Sequence, residues 1–202
     1  LADDPHPDPQ LLARASAHCL IAQRLAPHES LPWLCEARLA VTQKDWSGAH
    51  RAFTRALDAG MRREDRVLSA LAEVSLDRPD LSYEARVASA REFADRATRE
   101  YPYSALAYAT AARIHHRLGD ASTARALYAR ASSLRPERWD VVLAGVELEL
   151  DLGHASAARA TFDAHEDLLQ AADPVQRDHV RRRLRDAEHL LAPAPSDWTE
   201  RP

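Results

Sequence analysis

The sequence predicts an all-α chain, a right-handed α-α superhelix of about ten helices stacked as antiparallel hairpins. Three observations carry this. The first is a recurrence every 34 residues: Gly119, Ala124, Tyr128, Ala131 and Pro136 form one set, and Gly153, Ala158 and Phe162 repeat its first three members. Ala90, Ala94, Ala97 and Pro102 anticipate the set, and Ala15, Cys19, Ala22 and Pro27 precede Ala49, Phe53, Ala56 and Met61 by the same interval. That period is the mark of a two-helix solenoid unit. The second is composition: 46% of residues are hydrophobic, only 5 are Gly, and strand-favouring residues are scarce. The third is a series of caps and breakers at the spacing such hairpins require.

Residues 1–7 are rich in Pro and Asp and read as an extended segment. Asp8-Pro9 is a cap and first-turn pair, and it opens a helix to about Ala26. Helices follow over about 31–43, 46–59, 63–77, 82–100, 104–118, 121–134, 137–151, 155–171 and 174–191. Asp173-Pro174 opens the last of them as Asp8-Pro9 opens the first. The resulting organisation is an N-terminal capping helix over 8–29, four hairpins over 30–172, a C-terminal capping helix over 173–191 and a frayed tail over 192–202. Capping is needed because the end of a solenoid otherwise exposes an apolar face.

Within each hairpin the residue types have physical reasons. Small Ala residues let two helices approach closely, and an aromatic fills the space where the next hairpin packs. Gly ends the first helix because it accepts left-handed backbone angles without steric cost. One interval departs from the rule: Ala56 to Ala97 is 41 residues, and the extra seven fall around Leu76–Ser82. Seven residues are about two helical turns, so an extended helix keeps its packing phase and the hairpin over Arg63–Tyr101 is longer than its neighbours. The plain reading is a tolerated loop insertion; the functional one is a lip beside a binding groove.

The pattern resembles the tetratricopeptide repeat family. The best unit runs from Ala105 to Pro136, with Tyr108, Ala112, Gly119-Asp120, Ala124, Tyr128, Ala131 and Pro136. A second spans Trp139 to Ala172, where His165 replaces a small residue. A third covers Ser30 to Met61 with Trp33, Ala37, Trp46, Ala49, Phe53 and Ala56; there Lys44 replaces the turn Gly and Met61 the Pro. The resemblance implies that the first helix of each hairpin lines a concave groove. The expected groove residues are Leu34, Arg38, Leu68, Ala72, Arg113, His116, Arg117, Glu147 and Asp151, flanked by Leu31, Val41, Ser75, Leu106, Ala109, Leu143 and Leu150. Such a groove is apolar at its start, basic in the middle and acidic beyond. It suits a partner segment with apolar anchors and a carboxylate near the middle. The chaperone-binding members of the family grip a terminal carboxylate with Lys and Asn. With one Lys and no Asn, this chain has Arg113 and Arg117, one turn apart, for that purpose instead. The plain reading of both is solvated helix surface.

Chemistry-bearing motifs are weak. The 10 His residues include no His-Glu-x-x-His string, and His115 and His116 are adjacent and diverge. Cys19 and Cys35 lack metal-type spacing. Cys19 takes the place of Phe53 and Tyr128, which reads as buried packing, with a disulfide to Cys35 as the alternative. No phosphate loop and no nucleophile elbow occurs, so no enzyme activity, metal or cofactor is expected. The net charge of −4 gives no reason to expect nucleic acid, and no stretch reaches the roughly 20 apolar residues of a membrane span. The run Arg181-Arg182-Arg183 with Arg185 is either a solvated cap face or a contact for an acidic partner.

Lys44 is the only Lys, and Ile occurs only at Ile21 and Ile114. That bias suggests a GC-rich, bacterial genome. Leu1 stands where an initiator Met is usual, so a processed or trimmed chain is the expectation, from the cytoplasm or the periplasm. The functional expectation is a non-catalytic scaffold, adaptor or assembly factor that binds another protein or a peptide segment. The alternatives are a periplasmic module of an exopolysaccharide or envelope-assembly system, with contact to sugar polymer, and the helical part of a larger enzyme.

Overall fold

The computed structural model describes residues 8–60 and 64–191, with residues 188–191 described by backbone alone. The expectations for residues 1–7, for Met61 and for the tail from Ala192 lie outside what is described. Among the described residues there are eleven helices and no strand: α1 (Pro9–Leu25), α2 (Ser30–Thr42), α3 (Trp46–Asp58), α4 (Glu64–Leu76), α5 (Tyr83–Glu100), α6 (Ala105–Arg117), α7 (Ala121–Leu134), α8 (Trp139–Asp151), α9 (Ala155–Ala164), α10 (Glu166–Leu169) and α11 (Pro174–Leu191).

Several helix starts carry side-chain caps, while α2, α8 and α9 have none. Asp8 accepts from the Gln10 amide at 2.9 Å, Asp45 from Gly48 at 2.8 Å, Ser104 from Ala107 at 3.3 Å and Asp120 from Thr123 at 3.2 Å. The hydrogen bonds from Thr123, together with those from His115 and Ser122, hold the Asp120 carboxyl down at about 2. Turns within hairpins are closed by left-handed residues, Gly119 at φ 79° and Gly153 at φ 76°. Lys44 holds the same place in the first hairpin and adopts φ 59°, the one described non-Gly residue at positive φ.

The hairpins α2/α3, α4/α5, α6/α7 and α8/α9 stack in chain order, each second helix also packing on the first helix of the next pair. The repeat residues supply the core. Ala124, Tyr128 and Ala131 are buried with Ala109, Ala112 and Val141. Ala158 and Phe162 are buried with Val142, Val146, Leu169, Val180 and Leu184, so α11 closes the far end. Burial pushes the Tyr128 hydroxyl up to about 12.

Two expectations need correction in detail. The helix foreseen over 155–171 breaks at His165, and α10 is its four-residue continuation. His165 stands 34 residues after Ala131, which is fully buried where helices touch. An imidazole does not fit that contact; the ring is half-buried, with Nδ1 2.9 Å from the Thr161 carbonyl oxygen, and the helix ends there.

The seven extra residues are divided between helix and turn. Four lie in α5, where Ala97 stands 14 residues after the helix start against 10 for Ala56 in α3, and three lie in the turn over 77–82, which has six residues against three over 43–45. That turn is fastened down: Asp80 accepts from Ser47 at 2.5 Å and from Arg78, and Asp77 from Arg117.

At the N-terminal end, Cys19 and Cys35 form a disulfide with Cα atoms 5.7 Å apart, joining α1 to α2. The two readings of Cys19 both hold, since it is also the only buried residue of α1.

Candidate partner-binding groove

The first helices of successive hairpins stand side by side. α4 packs along α6, and α6 touches α8, but α2 stands off from α4. The gap forms a cleft of about 670 Å³. Its walls come from α2 (Arg38, Val41, Thr42), α4 (Ala70, Glu73, Val74) with Asp77 just after it, and α6 (Arg113, Ile114, Arg117), and Trp46 and Phe53 of α3 form the floor. The second helix of the hairpin carries the aromatics: Trp46 is half-buried where the first helices splay, and Phe53 lies buried beneath it.

The register of the groove is legible from its buried partners. Ala37, Ala72 and Ala112 are fully buried at the helix contacts. The next residue of each helix, Arg38, Glu73 or Arg113, turns into the cleft. In α8 Val146 is the buried residue and Glu147 the half-buried one that follows it. The expected groove residues Leu68 and Ala72 are therefore corrected. Both are fully buried, Leu68 against Ala97 and Ala107, and Ala72 against Ala90, Ala94 and Ala111. Ser75, Ala109 and Leu143 are buried as well, while Leu34 is half-buried against the first hairpin's core. Carrying the Ala37 position forward to Ala72 would have placed Glu73 in the groove in place of Ala72.

The electrostatics also differ from expectation. Arg113 pairs with Glu73 across α4 and α6. One turn further on, Arg117 pairs with Asp77 at 2.8 Å, which raises its pKa above the ordinary arginine value. Asp151 is held by His116 at 2.9 Å and by Arg183 of α11 at 2.5 Å. The middle of the groove is thus neutralised by a ladder of internal ion pairs, and one arginine of the C-terminal basic run completes it. Arg181 of the same run pairs with Glu166 at 3.5 Å and lies over the Phe162 ring.

Two groove charges lack an ion-pair partner among the described residues. They are the exposed Arg38 at the N-terminal end and the half-buried Glu147 beyond the ladder. Arg38 stands at the rim above Val41 and Trp46. Its guanidinium offers a fork of donors that matches a carboxylate. Among the described residues no cluster of three or more His, Cys, Asp or Glu is arranged to hold a metal ion.

Solved structures with the same arrangement are helical-repeat proteins. TTC0263, a thermophilic TPR protein of Thermus thermophilus, superposes at a TM-score of 0.68 with 20% identity over 91% of this chain and 94% of its own. MamA from Desulfovibrio magneticus RS-1 gives 0.57 with 14% identity over 81% of this chain and 96% of that one. YrrB, described as a TPR protein with an unusual peptide-binding site, gives 0.56 with 17% identity over 86% and 84%. No protein-family model and no curated protein sequence matches the chain. The fold is that of a tetratricopeptide-repeat solenoid, an all-α right-handed superhelix.

Proposed function

We propose that the protein is a non-catalytic interaction scaffold that captures a segment of a partner protein in the cleft between α2, α4 and α6. The observation that carries this is the pairing of an apolar-lined cleft with a rim cation, Arg38, that has no ion-pair partner among the described residues. Val41, Trp46, Phe53, Val74 and Ile114 accept a bulky apolar side chain, and Arg38 accepts a carboxylate beside it. Arg113 and Arg117 are wall residues, committed to Glu73 and Asp77. The peptide-binding site ascribed to the structurally similar YrrB supports a peptide ligand here.

The polar residues of the cleft suit holding a ligand rather than transforming it. The only hydroxyl in its walls, Thr42, donates to the Arg38 carbonyl oxygen at 3.0 Å. Both cysteines are spent in the disulfide. That disulfide favours one refinement, that capture takes place in an oxidising compartment such as the periplasm.

The test is selection of displayed peptides on the oxidised protein. The expected consensus is an aromatic or large aliphatic residue with Asp or Glu nearby, and Arg38→Glu should weaken the selected peptides at least tenfold. Recovery of basic or featureless peptides, indifferent to Arg38→Glu, would overturn the reading.

A further inference from the structure

Equivalent positions of the first helices form rows that cross the groove. The buried residues Ala37, Ala72, Ala112 and Val146 set the register of α2, α4, α6 and α8. The position after each gives the row Arg38, Glu73, Arg113, Glu147, whose charges alternate in sign. One turn later the row is Thr42, Asp77, Arg117, Asp151, and one turn earlier it is Leu34, Ser69, Ala109, Leu143.

The three rows differ in what they leave for a ligand. The earlier one has no charge, and Ser69, Ala109 and Leu143 are buried. In the later one Thr42 donates to the Arg38 carbonyl oxygen, Arg117 holds Asp77, and His116 and Arg183 hold Asp151. The alternating row closes only in its middle, where Arg113 pairs with Glu73. Its ends, Arg38 and Glu147, have opposite signs and no ion-pair partner among the described residues. Glu147 lies beside the closed pair: apart from burial, the Tyr128 hydroxyl responds to the charges of Arg113, Glu147 and Glu73. A half-buried carboxylate has lost part of its water, so a cation brought to it gains more than at a fully exposed one.

We infer that the captured segment is dipolar. It lies extended across the first helices, with its carboxylate at Arg38 over α2 and a Lys or Arg at Glu147 over α8. Uncharged residues cross the middle, because a charge there would have to displace the Arg113–Glu73 pair. This rests on capture in the cleft and adds a second anchor to it. The opposite signs also orient the segment, since turning it round sets like charges together at both ends. Three steps between neighbouring helices, each about 8–10 Å, span roughly 24–30 Å, and an extended chain covers about 3.3 Å per residue. The two charges of the segment therefore stand about seven to nine residues apart.

The test uses the oxidised chain and synthetic peptides with blocked ends, made in both chain directions. Each has an Asp, an aromatic residue close to it, an Ala–Thr spacer and a final Arg, Ala or Glu. The separation of Asp from the final residue runs from about four to about twelve residues, to bracket the extended span. Fluorescence anisotropy should show the Arg peptide binding at least fivefold tighter than the Ala peptide at a separation near eight, with the Glu peptide weakest. Glu147→Gln should erase the difference between Arg and Ala, and Glu147→Arg should make the Glu peptide the preferred one. Asp95→Asn, which removes a charge from the exposed face of α5, should keep the preference for Arg. Circular dichroism and melting check that the Glu147 variants fold, and the separation series on the parent chain decides without them. If the Ala peptide is weakened by Arg38→Glu but the final residue makes no difference, the second anchor is wrong while capture in the cleft stands. A preference for Arg that survives Glu147→Gln, or that is equal at every separation, overturns the proposal in the same way, since it reports only attraction to an acidic chain. If no peptide binds, or the Ala peptide ignores Arg38→Glu, capture in the cleft fails and the second anchor with it.

Discussion

Single side chains decide the packing, and the repeat positions are where substitution is most costly. Phe162 is 2% exposed among Val142, Leu143, Val146, Leu169, Val180 and Leu184. Truncating it leaves a cavity that surrounding helices close only in part. Phe162→Ala should therefore destabilise the protein by about 3–5 kcal/mol. Denaturant unfolding followed by circular dichroism measures it, and a loss under about 1 kcal/mol would contradict the burial.

Lys44 gives the opposite sign. It sits at φ 59°, where Gly119 and Gly153 serve the later hairpins. A side chain in that conformation costs roughly 1–2 kcal/mol through contact of Cβ with the backbone, partly offset by the unfolded-state entropy that Gly adds. Lys44→Gly should raise stability by roughly 0.5–1 kcal/mol on that balance, read as a higher melting temperature. An unchanged or lowered melting temperature would contradict the account of this turn.

Helix ends were legible in the sequence because caps are local chemistry. Asp8-Pro9, Asp120 and Asp173-Pro174 each opened a helix within a residue of the expected place. The break at His165 carried a signal too, a ring where the repeat needs a small residue, but its consequence depended on how tightly α9 meets its neighbours. The groove was only half legible. Arg38, Arg113 and Arg117, which the resemblance implied as groove residues, line the cleft. Glu73 and Asp77 were missed because the longer interval before Ala97 obscures the register of α4. Their pairing with Arg113 and Arg117 spans 40 residues, and no local pattern encodes it.

The disulfide was one of two readings, since two cysteines 16 apart on neighbouring helices fit packing and bonding equally. Its energetic role follows from α1, which has one buried residue to anchor it. Closing a loop of that length is worth about 3 kcal/mol. In the Cys19→Ser, Cys35→Ser double variant, that loss should fall on the docking of α1. Hydrogen exchange should show residues 9–25 losing protection while α6 to α9 keep theirs. Protection of α1 unchanged by the double substitution would contradict its stapled attachment.

Across the whole molecule the design is a stack whose first helices touch along most of its length and part at one place. Where α4, α6 and α8 meet, charges that would face a ligand are spent on each other. Arg113 with Glu73, Arg117 with Asp77, and Asp151 with His116 and Arg183 form a nearly continuous ladder from α4 to α11. Exposed pairs of this kind add little stability each. Their larger effect is to leave the recognition charge of the cleft to Arg38.

That division of labour is the central claim, and a charge-swap cycle tests it most directly. The components are the oxidised protein, its Arg38→Glu variant, a selected peptide and the same peptide with its acidic residue replaced by Lys. The account predicts that each single swap weakens binding at least tenfold and that the two together restore most of it, because coupled charges give non-additive losses. Losses that simply add, or a peptide indifferent to both swaps, would show that the segment does not meet Arg38 and would contradict capture in this cleft.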